Sequence, residues 1–349
     1  MHILYEIERL STCGGIEHML ADKANYMADV WGWDVTILVL LEDDAEPFYH
    51  LSPKIRIEYL HIKSSGILMC LQGLWKLNKA VNRIKPDVYV TVQTIGAMSC
   101  LLRTHKVPAI YEAHGIRTCM QHPLAMSMAE KYADIVAVLT QNNAKRYAKA
   151  KRVELIPNFT NMSVAELPDY TQKRCVAVGR LDFEKNFSRM ISIWEKVHKT
   201  HPDWVLDIYG DGPEQNALQQ HIDSLGLSNN VFLKGRTDNA VEAYLSGSIY
   251  LMTSHFEGFP LVLIEASRCG LVSVSLNCPD GPRDIIEDGK TGYLVPYEDD
   301  EAMAVTIGKL MDDEAKRQSM GVAAKEASVR FSQQVVMNKW KTVFESLNP

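Results

Sequence analysis

The sequence predicts an α/β protein made of two Rossmann-like domains, each built on a doubly wound parallel sheet. Three observations carry that reading. Continuous apolar runs recur along the chain with helical patterns between them, as parallel strands covered on both faces require. The order strand, glycine-bearing loop, helix opens the chain and returns near residue 175. A polar, proline-bearing stretch over residues 150–170 reads as the linker between the two series, and 349 residues exceed what one core normally organises. Domains are therefore expected over 1–165 and 166–332.

In the first half, Met1 to Glu6 reads as a short strand and His18 to Val30 as a helix, with the loop Leu10–Glu17 between them. No G-x-G-x-x-G occurs there, so a dinucleotide fingerprint is absent. Gly14 and Gly15 either let the loop backbone approach a ligand closely or simply form a flexible turn. Further strands are expected at Val35–Leu41, Val88–Val92, Ala109–Glu112 and Ile135–Leu139. His114 follows Ala109–Glu112, beside Gly115, where a side chain can reach a ligand at the carboxyl end of a sheet. The alternative is a loop histidine bonded to nearby backbone. Between Ile67 and Ile84 apolar residues recur at helical spacing, with Lys76, Lys79 and Arg83 elsewhere on the wheel. A basic amphipathic helix bearing Trp75 suits an anionic membrane surface, although such helices more often pack on their own sheet.

The second half opens with Cys175-Val-Ala-Val-Gly179-Arg180 and runs on to Lys185-Asn186. A glycine that admits close approach and two nearby cations form a sensible cradle for a diphosphate, though loop cations are commonly just solvated. Strands ending near Gly210 and Gly235 follow, the latter beside Arg236, and glycines at strand carboxyl ends mark where ligands sit in open sheets. The most informative stretch is Ser254 to Gly270, S-H-F-E-G-F-P-L-V-L-I-E-A-S-R-C-G. It follows an apolar strand, Ser248–Thr253, and suits a helix from Pro260, where a missing N–H costs nothing, to a stop at Gly270. Backbone N–H groups at Gly258, Phe259, Leu261 and Val262 would then face an anion. Glu257 lies just outside that helix and Glu265 more than one turn inside. Acids beside an anion site make sense when the ligand also carries hydroxyls, as a nucleotide sugar does. Taken alone, the two glutamates read equally well as a dipole-complementing acid and a surface residue. The remainder, Ala302–Leu347, is largely helical.

Hydrophobic residues make up 46% of the chain and charged residues 23%, an ordinary globular balance. No apolar run is long enough to span a bilayer. The chain enters a strand at once, with no basic region and apolar leader, so a cytoplasmic location is expected. Seven cysteines are scattered without a C-x-x-C pair, which suits reduced thiols and argues against structural zinc. The net charge of −6 falls wholly in residues 171–349, which argues against a nucleic-acid partner, while residues 51–152 are distinctly basic.

Together these motifs closely resemble the retaining glycosyltransferases of family 4, which have the GT-B fold. The matching residues are Gly14-Gly15-Ile-Glu17, Gly179-Arg180-Leu with Lys185-Asn186, Gly210-Asp-Gly-Pro213, Gly235-Arg236 and Asp288-Gly-Lys-Thr-Gly-Tyr-Leu-Val295. The strongest is Glu257-Gly-Phe-Pro-Leu-Val-Leu-Ile-Glu265, the family's E-x7-E element. The resemblance is dense after residue 171 and thin between residues 40 and 105. It implies two Rossmann-like domains facing across a cleft, the second holding a nucleotide sugar, and a final helix over 333–349 that returns to the first. Arg180 and Lys185 would hold the diphosphate and offset charge on the leaving nucleotide. Glu265 would hold ribose hydroxyls, Glu257 hydroxyls of the transferred sugar, and Gly235-Arg236 the base. Gly15 would approach the phosphates from the first domain, and His114 would face the donor sugar. Gly179, Gly210, Gly258, Phe259, Pro260 and Leu261 complete the expected donor site.

No D-x-D pair occurs, so a divalent metal lacks its usual ligands, and no cofactor is expected besides the donor. The segment Asn277–Ile286 resembles members that use UDP-sugars to build bacterial surface polysaccharides. The resemblance therefore implies a UDP-linked hexose or N-acetylhexosamine as donor. It implies a glycan or lipid-linked glycan as acceptor; the basic helix over 67–84, if it rests on lipid, would place a cytoplasmic protein on the inner face of the cell membrane. Two other classes fit the sequence less well. An epimerase of the same fold needs carboxylates and histidines that do not line up here. A non-catalytic donor-binding subunit sits poorly with intact Glu257, Glu265, Arg180 and Lys185.

Overall fold

The computed structural model describes residues 1–63, 66–92, 94–100, 107–115 and 123–347. They fall into two compact units, Met1–Asn158 with Val336–Pro349 and Phe159–Val335.

In the first unit the described strands are β1 (His2–Ile7), β2 (Asp34–Val39), β3 (Arg56–Tyr59), β4 (Val88–Thr91), β5 (Ala109–Ala113), β6 (Ile135–Val138) and β7 (Val153–Leu155). They pair in parallel in the order β3-β2-β1-β4-β5-β6-β7. Every residue of β4, β5 and β6 is buried, which accounts for their largely apolar sequences, with Thr91 and Glu112 as buried polar exceptions. The winding reverses between β1 and β4, so their carboxyl ends flank the point where open sheets take ligands. The helices are α1 (Gly15–Asp29), α2 (Gly66–Ile84), α3 (Thr94–Ser99), α4 (Pro123–Tyr132) and α5 (Gln141–Arg146). Two strands escaped the sequence pattern. Both β3 and β7 are short edge strands that are nowhere fully buried, so neither carries an apolar run.

The second unit holds β8 (Arg174–Val178), β9 (Val205–Tyr209), β10 (Val231–Gly235), β11 (Ile249–Met252), β12 (Val272–Asn277) and β13 (Gly292–Pro296). They too are parallel, in the order β10-β9-β8-β11-β12-β13. Its helices are α6 (Phe187–His198), α7 (Gln215–Ser224), α8 (Ala240–Leu245), α9 (Leu261–Arg268), α10 (Pro282–Ile285), α11 (Asp300–Met311) and α12 (Glu314–Ala327). One stripe of α6 (Met190, Ile191, Trp194 and Val197) packs into a core with Leu206, Ile208, Leu251 and Val274 from the sheet.

The long C-terminal helical stretch is divided by its caps. The carboxylates of Asp299 and Asp313 accept the N–H groups of Ala302 and Lys316 at 2.8 and 2.9 Å, starting α11 and α12. A last helix, α13 (Gln333–Leu347), joins the first unit from Val336 onward, where Trp340 and Phe344 are buried and Phe344 meets Trp33 edge-on. The stretch 150–170 is not a plain solvated linker. It contains β7, and it buries Phe159 and Tyr170, the latter donating its hydroxyl to the Gly270 carbonyl at 2.7 Å.

Candidate functional site

In the second unit the expected residues gather on the loops that leave β8, β9 and β11. Two of these loops lie directly against each other. Gly179 N–H bonds the Tyr209 carbonyl at 3.0 Å, and Gly210 N–H bonds the Gly235 carbonyl at 2.8 Å. Gly210 has φ +144°, and a Cβ there would overlap the Gly179 carbonyl oxygen. A glycine is therefore required at 210 by the neighbouring backbone, which accounts for it without a ligand.

The loop after β8 is shaped to deliver Lys185. Asp182 accepts the Lys185 N–H at 3.2 Å, Asn186 takes a left-handed conformation (φ 53°), and Thr253 donates its hydroxyl to the Asn186 carbonyl at 3.0 Å. The Lys185 ammonium then donates to Glu257 Oε1 at 2.7 Å, and Ser254 Oγ donates to the same oxygen at 2.7 Å. The two charged side chains are only 23% and 10% exposed. Burial disfavours the Lys185 charge, but the Glu257 carboxylate outweighs it, and the lysine pKa sits above its ordinary value.

Glu257 stands just before α9, whose cap is Pro260 with extended backbone (φ −71°, ψ 104°). The first turn of such a helix presents N–H groups with no partner inside the helix. Gly281 (φ 92°) allows the loop after β12 to close on this element, since a Cβ would come 2.5 Å from Pro260 Cδ. Phe259 is buried, with its ring edge-on to Phe331 at 5.6 Å, so its side chain belongs to the core and only its backbone can serve a ligand.

Arg180 differs from Lys185. Its side chain is 71% exposed and its Nε lies 3.6 Å from Asp182, so it is not the fixed cation the sequence reading expected. Arg236 is also exposed, after the left-handed Gly235 (φ 71°) and a register shift in β10. Glu265 accepts a hydrogen bond of 2.7 Å from the hydroxyl of Tyr244, which α8 supplies from a fully buried position. Burial first, and the Glu265 charge second, push the Tyr244 hydroxyl well above its ordinary pKa, so it stays a donor. Neither Tyr244 nor Ser254 was found from sequence. Tyr244 is the one hydroxyl-bearing residue of α8, which was the available signal for it.

In the first unit, His114 Nε2 lies 3.0 Å from Glu112 Oε2, and both side chains are buried. Glu112 also pairs with Lys23 and accepts the Tyr5 hydroxyl at 3.2 Å. Burial would raise the Glu112 pKa, yet Lys23 and His114 together pull it down to about 2. Gly15 is the first residue of α1, with open space where a Cβ would stand, whereas a Cβ on Gly14 would overlap Glu17. The loop before α1 is pinned by two acids, Glu17 of the glycine motif and Glu42, the second of which no sequence pattern singled out. Glu42 accepts the Leu10 N–H at 2.8 Å, and Glu17 accepts the Thr12 hydroxyl at 2.8 Å. Helix α2 has two characters. Leu74, Leu77, Ala80 and Val81 are buried, while Leu68, Leu71 and Trp75 are 69%, 60% and 64% exposed. Lys79 sits over the Trp75 ring. No described helix is long and apolar enough to cross a membrane.

Residues 159–327, within the second unit, match the family described as Glycosyl transferases group 1. Over its length the chain is similar to the amylovoran biosynthesis glycosyltransferase AmsD of Erwinia amylovora. The two are 27% identical over 361 residues, covering 98% of this chain and 99% of that protein. Among solved structures, a variant of S. aureus TarM in complex with Fondaparinux, alpha-GlcNAc-glycerol and UDP superposes with a TM-score of 0.80. The match has 14% identity and covers 98% of this chain and 99% of that one. Anabaena HepE in complex with UDP and glucose superposes with a TM-score of 0.78 at 20% identity, covering 99% and 100%. The architecture is thus that of GT-B glycosyltransferases, with two parallel-sheet Rossmann-like domains.

Proposed function

We propose that the chain is a retaining, metal-independent glycosyltransferase of family 4. It moves a hexose or N-acetylhexosamine from a UDP-sugar to a glycan or lipid-linked glycan acceptor. The observation that carries this reading is the Lys185–Glu257 pair at the start of α9. An ammonium has three N–H donors, and one goes to Glu257, so the others can meet phosphate oxygens beside the N–H groups of Gly258, Phe259, Leu261 and Val262. Lys185 and Ser254 both bond Oε1 of Glu257, which leaves Oε2 for a sugar hydroxyl. Glu265, oriented by Tyr244, accepts from the ribose hydroxyls.

Breaking the bond between the sugar and the diphosphate builds negative charge on the leaving group, and Lys185 with the α9 amides offsets it in place. Arg180, whose side chain is 71% exposed beside Asp182, is the second cation assigned to the phosphates. No side chain is assigned as a nucleophile. The acceptor oxygen bonds the anomeric carbon on the face from which the phosphate departs, and the acceptor proton passes to that phosphate. Gly15 and His114 are assigned to donor binding by the family resemblance alone.

The UDP reading is supported by the likeness to TarM and HepE, both solved with UDP. The apolar face of α2, in a helix with no acidic residue, supports peripheral docking on the anionic cytoplasmic leaflet. Calorimetric titration with UDP and GDP tests the donor: UDP should bind more tightly, and tighter GDP binding would end the proposal. UDP release that depends on an added acceptor separates transfer from epimerisation and from mere donor binding. Flotation with phosphatidylglycerol vesicles, lost in Trp75→Ser, tests the membrane surface.

A further inference from the structure

The carboxyl end of β5 carries a buried charge cluster larger than His114 alone would need. Glu112 is 3% exposed and takes three donors: Lys23 and His114 (3.0 Å) on Oε2, and the Tyr5 hydroxyl (3.2 Å) on Oε1. Lys23 arrives from α1 and is itself 3% exposed. Its ammonium lies 4.9 Å from the ring centroid of Trp340 on α13 and 5.4 Å from that of Tyr5. A buried Lys–Glu pair is a poor device for stability, because apolar side chains of similar volume do as well or better. Its use is better sought in the third member of the cluster.

A carboxylate held ionised by an adjacent ammonium only accepts hydrogen bonds. The ring nitrogen facing it must therefore carry the proton, and in a neutral imidazole the other nitrogen then holds the lone pair. We infer that Lys23 and Glu112 are positioning residues for His114: they fix the ring and place its proton on Nε2, leaving Nδ1 to meet a substrate hydroxyl. Trp340 covers the Lys23 ammonium, so the helix that closes the first unit also holds this cation in register. The catalytic consequence rests on the reading that His114 faces the donor sugar, whereas the tautomer does not.

Long-range ¹H–¹⁵N spectra of the full chain labelled with ¹⁵N-histidine read the tautomer directly, with His114 assigned by its loss in His114→Gln. The expected wild-type pattern is a single Nε2–H form that becomes a tautomer mixture in Glu112→Gln. A wild-type ring protonated on Nδ1, or exchanging freely, overturns the inference, and this arm needs no variant of the pair to fold. UDP release from whichever of UDP-glucose, UDP-galactose or UDP-N-acetylglucosamine is turned over supplies the second readout. Glu112→Gln should lower kcat by about 10- to 100-fold with the donor KM within about twofold, and Lys23→Arg should retain more kcat than Lys23→Met. Unchanged kcat in folded Glu112→Gln overturns the positioning role. If His114→Gln turns over like wild type while the spectra show Nε2–H, the placement of His114 at the donor sugar is what fails. If His114→Gln is inactive but the wild-type tautomer is mixed, the positioning role alone fails.

Discussion

Replacing Lys185 by Ala probes the proposed site most directly, because it acts on stability and on chemistry through one contact. In the wild type the ammonium sits 2.7 Å from Glu257 Oε1, with the two side chains 23% and 10% exposed. The pair is too sheltered to be worth the ~0–1 kcal/mol of a surface ion pair. It is also less enclosed than the fully buried pairs whose disruption costs about 3–5 kcal/mol. Lys185→Ala leaves Glu257 with the Ser254 hydroxyl as its remaining side-chain donor, so a loss of about 2 kcal/mol in unfolding free energy is expected. Neutralising the stranded acid should recover part of that loss, giving Lys185→Ala/Glu257→Gln a coupling of about 1–2 kcal/mol. On turnover, removing one charge-assisted contact to the leaving group should cost about 10²–10³ in kcat. Urea unfolding of the four proteins in the cycle and UDP release under saturating donor measure both quantities. Wild-type turnover in Lys185→Ala would refute the chemical role. A double variant no more stable than Lys185→Ala would refute the electrostatic one.

Four further outcomes are expected. Glu6 is fully buried on β1, with one carboxyl oxygen accepting from Thr91 at 2.7 Å and the other without a partner among the described residues; burial, only partly offset by Thr91, raises its pKa from 4.5 to about 8. The folded chain therefore holds a proton that the unfolded chain releases, so stability should fall as pH rises from 4.5 to about 8, by about 5 kcal/mol at most. Glu6→Gln should flatten that slope in urea titrations, and an unchanged slope would count against the assignment. Tyr244→Phe removes the donor to Glu265 and should raise the donor KM about tenfold with little effect on kcat; an unaltered KM would detach Glu265 from the ribose. Gly210→Ala should cost roughly 2 kcal/mol or more in unfolding free energy through the clash with the Gly179 carbonyl, and a wild-type midpoint would contradict the loop packing. EDTA should leave UDP release nearly intact, whereas abolition restored by Mg²⁺ would show that an ion is required.

Much of the fold could be read along the chain. The runs at Val35–Leu41, Val88–Val92 and Ile135–Leu139 mark β2, β4 and β6 and overrun their carboxyl ends by one or two residues, because a strand covered on both faces is largely apolar. The edge strands β3 and β7 were invisible for the opposite reason, since an exposed edge asks for no apolar run. The apolar pattern of α2 likewise could not reveal which hydrophobic residues would remain uncovered. Leu74 is buried and Trp75 next to it is not, and only the packing on the sheet separates them.

The sequence by itself determined the element order, the strand–loop–helix openings and the placement of Glu257 before a helix, because these depend on neighbours a few positions away. Tertiary structure alone decided which charges meet. Lys185 reaches Glu257 across 72 positions and Lys23 reaches Glu112 across 89, each brought there by the order in which parallel strands are laid side by side. It also separated Lys185 from Arg180, one cation sheltered and paired, the other largely in solvent, because burial is a property of the packed loops and not of the residue type.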